Sequence, residues 1–268
     1  MNGTGAGDGQ PGGAAGLSHP DEVVTALPTL EDAVVLLDFD GTLSDLVDDP
    51  GAAAPVPGAA DAMAALADRT RVLVVSGRSI DDLRPRLPAG IDVTFAGGHG
   101  AELAHGDAPV QAMVDDVALV THHRDQAIAT LRDLLDDEPG WVVEVKPTGV
   151  AVHSRMVADP TTHMDTVLAI LSDHEVGGME VTHGHDVVEL RPAGVHKGVA
   201  VARLLAGEQR TPVAFGDDVT DEDMFAEVVQ HGGMAVVVAQ SPRQTHAVHR
   251  LPDPAAVVAT LTAWARAD

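Results

Sequence analysis

Four short segments carry most of the chemistry in this chain. Asp38-Phe39-Asp40-Gly41-Thr42-Leu43 sets two carboxylates at i and i+2. At the end of a strand, that spacing sends both beyond the last paired residue, and Gly41 lets the backbone turn sharply behind them. Short paired carboxylates suit a hard divalent cation, although a plain turn can also hold two Asp. Ser76-Gly77-Arg78 offers a hydroxyl and successive N–H groups, which at a turn can cradle a phosphoryl oxygen; alone it reads as a simple loop. Lys197-Gly198 opens a helix after Gly194. Gly216-Asp217-Asp218-Val219-Thr220-Asp221-Glu222-Asp223-Met224-Phe225 packs five carboxylates into seven positions. A helix N-terminus favours negative charge, but that density points to a cation as well.

These segments need a scaffold that brings strand ends together. Ala33 to Phe39 reads as a buried strand, followed by a helix over 57–69, a strand at 72–75, a helix over 79–87 and a strand at 93–96. Such alternation predicts a parallel sheet covered by helices, with ligands at the carboxyl ends of its strands. The rhythm then changes. A long helix over 116–136, a hairpin of 141–145 and 150–155 across Pro147-Thr148-Gly149, a helix over 161–174 and a second hairpin of 179–182 and 187–190 make a small α+β unit. After Pro192 the α/β pattern returns, ending in a helix over 254–266. The resulting division is a tail at 1–20, a core at 21–103 and 191–268, and an inserted cap at 104–190.

Composition sets further limits. The 268 residues include 45% hydrophobics, enough for a core, and no Cys, which excludes disulfides and thiolate zinc sites. The formal charge of −25, from 16 Lys+Arg against 41 Asp+Glu, argues against binding nucleic acid or anionic membranes. An anionic substrate then needs a local positive island. Only two lysines exist, Lys146 and Lys197. No apolar run approaches a membrane span, and Met1 to Gly16 lacks the basic start of a signal peptide, so a cytoplasmic monomer is expected.

The order of the four segments, together with Gly98 to Glu102 (GHGAE), Glu144 to Arg155 (EVKPTGVAVHSR) and Glu189 to Gly198 (ELRPAGVHKG), resembles the haloacid-dehalogenase superfamily and, within it, the trehalose-6-phosphate phosphatases, over about residues 31–245. The resemblance implies an α/β fold, with a Rossmann-like parallel-sheet core and an inserted α+β cap domain. It implies Mg²⁺-dependent hydrolysis of a small sugar phosphate, trehalose 6-phosphate, through an aspartyl-phosphate. Asp38 would be the nucleophile and Asp40 the acid and base. Asp38, the Asp40 carbonyl and Asp217 would hold Mg²⁺. Asp218 and Asp221 would orient its waters and Lys197, with Thr42 and Arg78 also supporting that shell, and Ser76 and Lys197 would bind phosphoryl oxygens. Gly41, Gly77, Glu144, Lys146, His153, Arg155, Glu189, Arg191 and His196 would contact substrate; His99 fits substrate contact and hinge packing equally. Hinges fall near 104–106 and 191–194. Related capped phosphatases for sucrose phosphate or mannosylphosphoglycerate, a phosphomannomutase and a noncatalytic sugar-phosphate sensor are the alternatives. Three features depart from the family pattern: Ser154 in place of an aromatic, His196 in place of Asn or Asp, and the absence of Tyr. His122-His123 and His183-x-His185 read as solvent-facing, and Met224 and Phe225 as core.

Overall fold

The computed structural model describes residues 16–184 and 186–267. In chain order the first part comprises β1 (Gly16–Leu17), α1 (Pro20–Ala26), β2 (Ala33–Leu37), α2 (Ala59–Ala67), β3 (Arg71–Val75), α3 (Ile80–Leu83), β4 (Val93–Gly97), β5 (Glu102–His105) and β6 (Gln111–Ala112). A second group follows: α4 (Val117–Leu135), β7 (Val142–Val145), β8 (Val150–His153), α5 (Thr161–Ser172), β9 (Met179–Gly184) and β10 (Val187–Pro192). The chain ends with α6 (Lys197–Leu205), β11 (Thr211–Gly216), α7 (Asp221–Gln230), β12 (Met234–Val238), β13 (His249–Leu251) and α8 (Pro254–Arg266).

The large sheet has the order β1-β13-β12-β11-β2-β3-β4-β5-β6. It is parallel from β1 to β4 and antiparallel only where β5 and β6 fold back along its edge. β2 is buried along its whole length, as a parallel strand with both faces covered must be. Its alternate residues divide between two cores. Val35 and Leu37 pack with α1, α2 and α8, where Trp264 is enclosed. Val34 and Leu36 pack with α6 and α7, where Met224 and Phe225 lie as expected. The catalytic-type segments follow β2, β3 and β11, three neighbours in the order β11-β2-β3, so the topology alone brings them to one edge.

The second sheet, β7-β8-β10-β9, is wholly antiparallel. Val150, Val152, Val188 and Leu190 point to α4 and α5 and close a third core. Alternation along β10 then forces Glu189 and Arg191 onto the opposite face. Among the described residues no helix is long and apolar enough to cross a membrane.

Several expectations need correction. Strands at 102–105 and 111–112 belong to the large sheet, so the change of sheet falls between Ala112 and Val117 rather than at 104, and β10 runs past 190 to Pro192. The first crossing hinge therefore cannot lie at 104–105, which is paired strand. The reading of 1–15 as a tail falls outside the described residues. Residues 16–20 differ from it, because Gly16 and Leu17 pair with His249 and Arg250, and Pro20 opens α1. His123 is half-buried with its ring against His174, at 5.9 Å between centroids, rather than solvated. β9 extends through His183 to Gly184, and His185 lies outside the described residues.

α8 clamps one face of the sheet. Asp253 caps it by accepting the Ala256 N–H at 2.8 Å, and the Trp264 indole donates to the Pro28 carbonyl at 2.9 Å. Removing that buried ring by Trp264→Ala should cost about 3–5 kcal/mol, read as a lowered urea midpoint.

Candidate active site

The floor of the site lies where β2, β3 and β11 end. Asp38 follows β2 and remains attached to the sheet through its N–H, which donates to the Phe215 carbonyl at 3.0 Å. Lys197, at the start of α6, donates at 2.7 Å to both Asp38 Oδ1 and Asp221 Oδ1. All three residues are almost completely buried, with Asp38 4%, Lys197 3% and Asp221 0% exposed. Burial works against the Lys197 ammonium, but Asp221 and Asp38 outweigh it and hold it charged. Burial pushes the Asp38 carboxyl well up; Lys197 pulls it back, while Asp221 and Asp217 push it further.

Asp221 has a second task. Its Oδ2 accepts the Asp217 N–H at 2.9 Å and the Asp218 N–H at 3.0 Å, which fixes the turn that presents Asp217. Asp38, Asp217 and Asp221 each offer an oxygen, all within 4.8 Å of one another. The set fits a hard cation: every donor is oxygen, and Gly41 stands at φ +70° against Asp217, whose carboxylate any Cβ there would overlap. Burial first, then the Asp221 charge, push Asp217 up to about 7, and Lys197 offsets this only in part. Both Asp221 oxygens are already engaged, which leaves Asp38 and Asp217 as the freer donors. The buried acidic triad can therefore hold a metal ion.

Asp40 is held differently. Arg78 donates Nε to its Oδ2 and Nη2 to its Oδ1, both at 2.7 Å, a bidentate fork. The same guanidinium donates to Asp82 at 2.7 Å and lies 5.6 Å from the Phe39 ring centre. Asp82 also takes Arg86, at 2.6 Å, and Arg86 reaches the Gly51 and Ala53 carbonyls. A charged relay thus runs from Asp40 to the loop after β2. Ser76 is buried beside it, and its Oγ accepts the Arg78 N–H at 3.2 Å.

The second sheet forms the facing wall of a cleft of about 560 Å³. Register places Glu144, Ala151 and Glu189 in one row across three strands. The small side chain of Ala151 leaves room for Lys146 to reach Glu189 at 2.9 Å and for His153 to meet Glu144 at 2.7 Å. Burial alone would raise Glu144, but His153 and Lys146 bring it below the usual range. Arg191 donates to Glu180 at 3.0 Å, and Arg155 lies 3.9 Å from Asp186.

Of the expected site residues, Asp38, Asp40, Ser76, Gly77, Arg78, His99, Glu144, Lys146, His153, Arg155, Glu189, Arg191, Lys197, Asp217 and Asp218 line the cleft. Four do not. Gly41 is the hinge behind Asp217. Thr42 is fully buried, with a hydroxyl that has no partner among the described residues. Asp221 lies beneath the cleft and holds Lys197. His196 caps α6 with extended backbone, its ring stands 3.3 Å from Asp223, and it is not among the residues lining the cleft. Sequence reasoning missed Asp82 and Glu180, which hold cleft arginines, and also the apolar outer wall of Leu46, Val142 and Met156. It placed His183 on a turn, whereas His183 lines the cleft.

A family model described as trehalose-phosphatase matches residues 36–255. A trehalose-phosphate phosphatase of Mycolicibacterium paratuberculosis is 38% identical over 260 residues, covering 91% of this chain and 62% of that one. The chain therefore spans less than two thirds of the length of this curated relative. The C-terminal domain of the Candida albicans trehalose-6-phosphate phosphatase superposes with a TM-score of 0.76 at 22% identity, covering 96% of this chain and 99% of that one. A trehalose-6-phosphate phosphatase related protein of known structure gives 0.76 at 23%, over 87% and 97%. These two share the fold, an α/β haloacid-dehalogenase core with a smaller α+β unit.

Two outcomes follow from the geometry. Gly41→Ala would force Asp217 aside and should weaken calorimetric binding of a divalent cation by at least about tenfold. Burial first, then the charges of Lys146, Lys197 and Arg191, hold His99 well below its usual pKa. Its neutral form is thus favoured by folding: the stabilisation is present above about pH 6.5 and is lost as pH falls through the lower folded value. The stability advantage of wild type over His99→Gln, from urea unfolding, should therefore shrink between pH 7.5 and 5.5.

Proposed function

This chain belongs to the trehalose-phosphatase family, and on that premise we propose that it hydrolyses trehalose 6-phosphate to trehalose and inorganic phosphate. The observation that carries the reading is the Asp38–Lys197–Asp221 cluster, set at the floor of a cleft whose opposite wall is lined with paired polar groups suited to a disaccharide. The cleft volume lies within the range of about 300–1,000 Å³ usual for small-molecule sites.

In this reading a carboxylate oxygen of Asp38 attacks phosphorus, and the bond to the sugar oxygen breaks. Asp40 gives that oxygen a proton, for which one of its oxygens must leave the Arg78 fork. Water then attacks the aspartyl-phosphate, Asp40 takes the water's proton, and phosphate leaves with Asp38 regenerated. Lys197 and Ser76 bind the nonbridging oxygens during both displacements. Asp38, Asp217 and the Asp40 carbonyl would hold Mg²⁺, whose charge offsets the repulsion between a carboxylate and a phosphate dianion. Asp221 orients Asp217 and Lys197. Glu144, Lys146, His153, Glu189 and Arg191 would meet the sugar hydroxyls, with their mutual ion pairs exchanged for bonds to substrate. The unit built on β7–β10 would act as a cap, crossing to the core at 113–116 and 193–196 and excluding water when closed.

Phosphate release from trehalose 6-phosphate with Mg²⁺ and with chelator, alongside sucrose 6-phosphate, glucose 6-phosphate and mannose 6-phosphate, is the direct test. Chelator-sensitive release from the first alone is expected, and Asp40→Asn should lower it about 10²–10⁴-fold. Preference for another sugar would overturn the assignment of the cap wall. An Asp40→Asn variant as active as wild type would remove Asp40 from its role.

A further inference from the structure

We propose that Glu102 is a positioning residue: with the turn before it, it splints the Ser76–Arg78 loop against the reacting carboxylates. This rests on the functional reading above and deepens it. Glu102 opens β5 and is 4% exposed, yet among the described residues it has no cationic partner. Burial, with Asp81 nearby, raises its pKa against the single bond it accepts. Such a group costs free energy unless it is held by good hydrogen bonds. Its one bond is short and directed: Oε2 accepts the Ile80 N–H at 2.7 Å, two residues past Arg78.

The rest of the turn grips the same loop. The Gly98 N–H donates to the Arg78 carbonyl at 2.8 Å, and the His99 N–H donates to the Ser76 carbonyl at 2.9 Å. His99 does so at φ +56°, a left-handed conformation uncommon for a side chain of its size. Packing leaves no slack. A Cβ on Gly97 would stand 2.9 Å from the Ile80 nitrogen and 3.0 Å from the Arg78 oxygen, and one on Gly77 would stand 2.7 Å from His99 Nε2. Three bonds from one turn therefore fix Ser76, Arg78 and Ile80. Through Arg78 they also fix the fork on Asp40. An error of about 1 Å in such a constellation costs about 100-fold in rate, so a carboxylate acceptor, stronger than a neutral one, has a reason to be buried here.

The test uses the full chain as Glu102→Met, which fills the space without an acceptor, and Glu102→Gln, which restores one. Tungstate affinity with Mg²⁺ present is measured by calorimetry, and turnover is measured with trehalose 6-phosphate and with p-nitrophenyl phosphate. The Met variant should bind tungstate at least about tenfold more weakly and lose about 100-fold in kcat/KM on both substrates alike. The Gln variant should return close to wild type, with the thermal midpoints of the two variants near each other. Wild-type tungstate affinity in the Met variant, or a Gln variant as impaired as Met, would overturn the proposal. Should the Met variant not fold, hydrogen exchange in the unaltered protein decides: tungstate should slow the Ile80, Gly98 and His99 amides together, and no slowing counts against the splint. A wild-type protein that binds tungstate but turns over no phosphomonoester would overturn the functional reading instead.

Discussion

One buried ammonium governs the floor of the cleft. Lys197 stands between Asp38 and Asp221, and without it two carboxylates and their neighbour Asp217 would face one another out of water. Breaking such an arrangement is costly because the remaining charges have no compensation. The fold is shaped to deliver it. α6 can bring Lys197 so close to α7 only because the next residue is Gly198, where a Cβ would stand 2.8 Å from the Asp223 carbonyl oxygen. Asp221, at the start of α7, then serves both as counter-ion and as acceptor for the turn carrying Asp217. Charge balance, helix packing and presentation of the acidic turn are thus one constraint.

The opposite wall solves a different problem. It presents many charged side chains to a cleft and must be stable before any ligand arrives. The four-stranded sheet achieves this by alternation, with apolar residues toward α4 and α5 and charged residues toward the cleft. On the cleft face each cation has an acid beside it, as in Lys146 with Glu189 and Arg191 with Glu180. A ligand therefore exchanges partners with the wall instead of meeting bare charge. A chain of net charge −25 thus still gathers Arg78, Lys146, Arg155, Arg191 and Lys197 around one cleft, and surface charge beyond about 8 Å is largely screened.

Much of this was legible in the sequence because it depended on local pattern. Apolar runs ending in acid marked β2 and β11, and the switch to hairpins marked the second sheet. What stayed hidden was pairing over long separations. Arg78 and Asp40 lie 38 residues apart, and nothing in either segment announces the fork. The pairing of Asp221 with Lys197 follows from the family resemblance and is present at 2.7 Å, but the depth of both beneath the cleft is not written in either segment. β6 is two exposed residues, Gln111 and Ala112, too short for any periodicity. Motif position puts His196 beside Lys197, but only the structure shows its ring paired with Asp223 outside the cleft lining. Such differences arise where side-chain direction, rather than residue type, decides the outcome.

The chain's only two lysines both line the cleft, one deep at its floor and one on its far wall. Elsewhere on a strongly acidic surface every cationic side chain is an arginine or a histidine. Side-chain primary amines are therefore confined to the region where the two sheets face each other, and both are masked by carboxylates. Acylation of the two lysine side chains would report not on the outer surface but on access to the cleft. Followed lysine by lysine, the readout would come as two separate rates, one from the floor and one from the far wall.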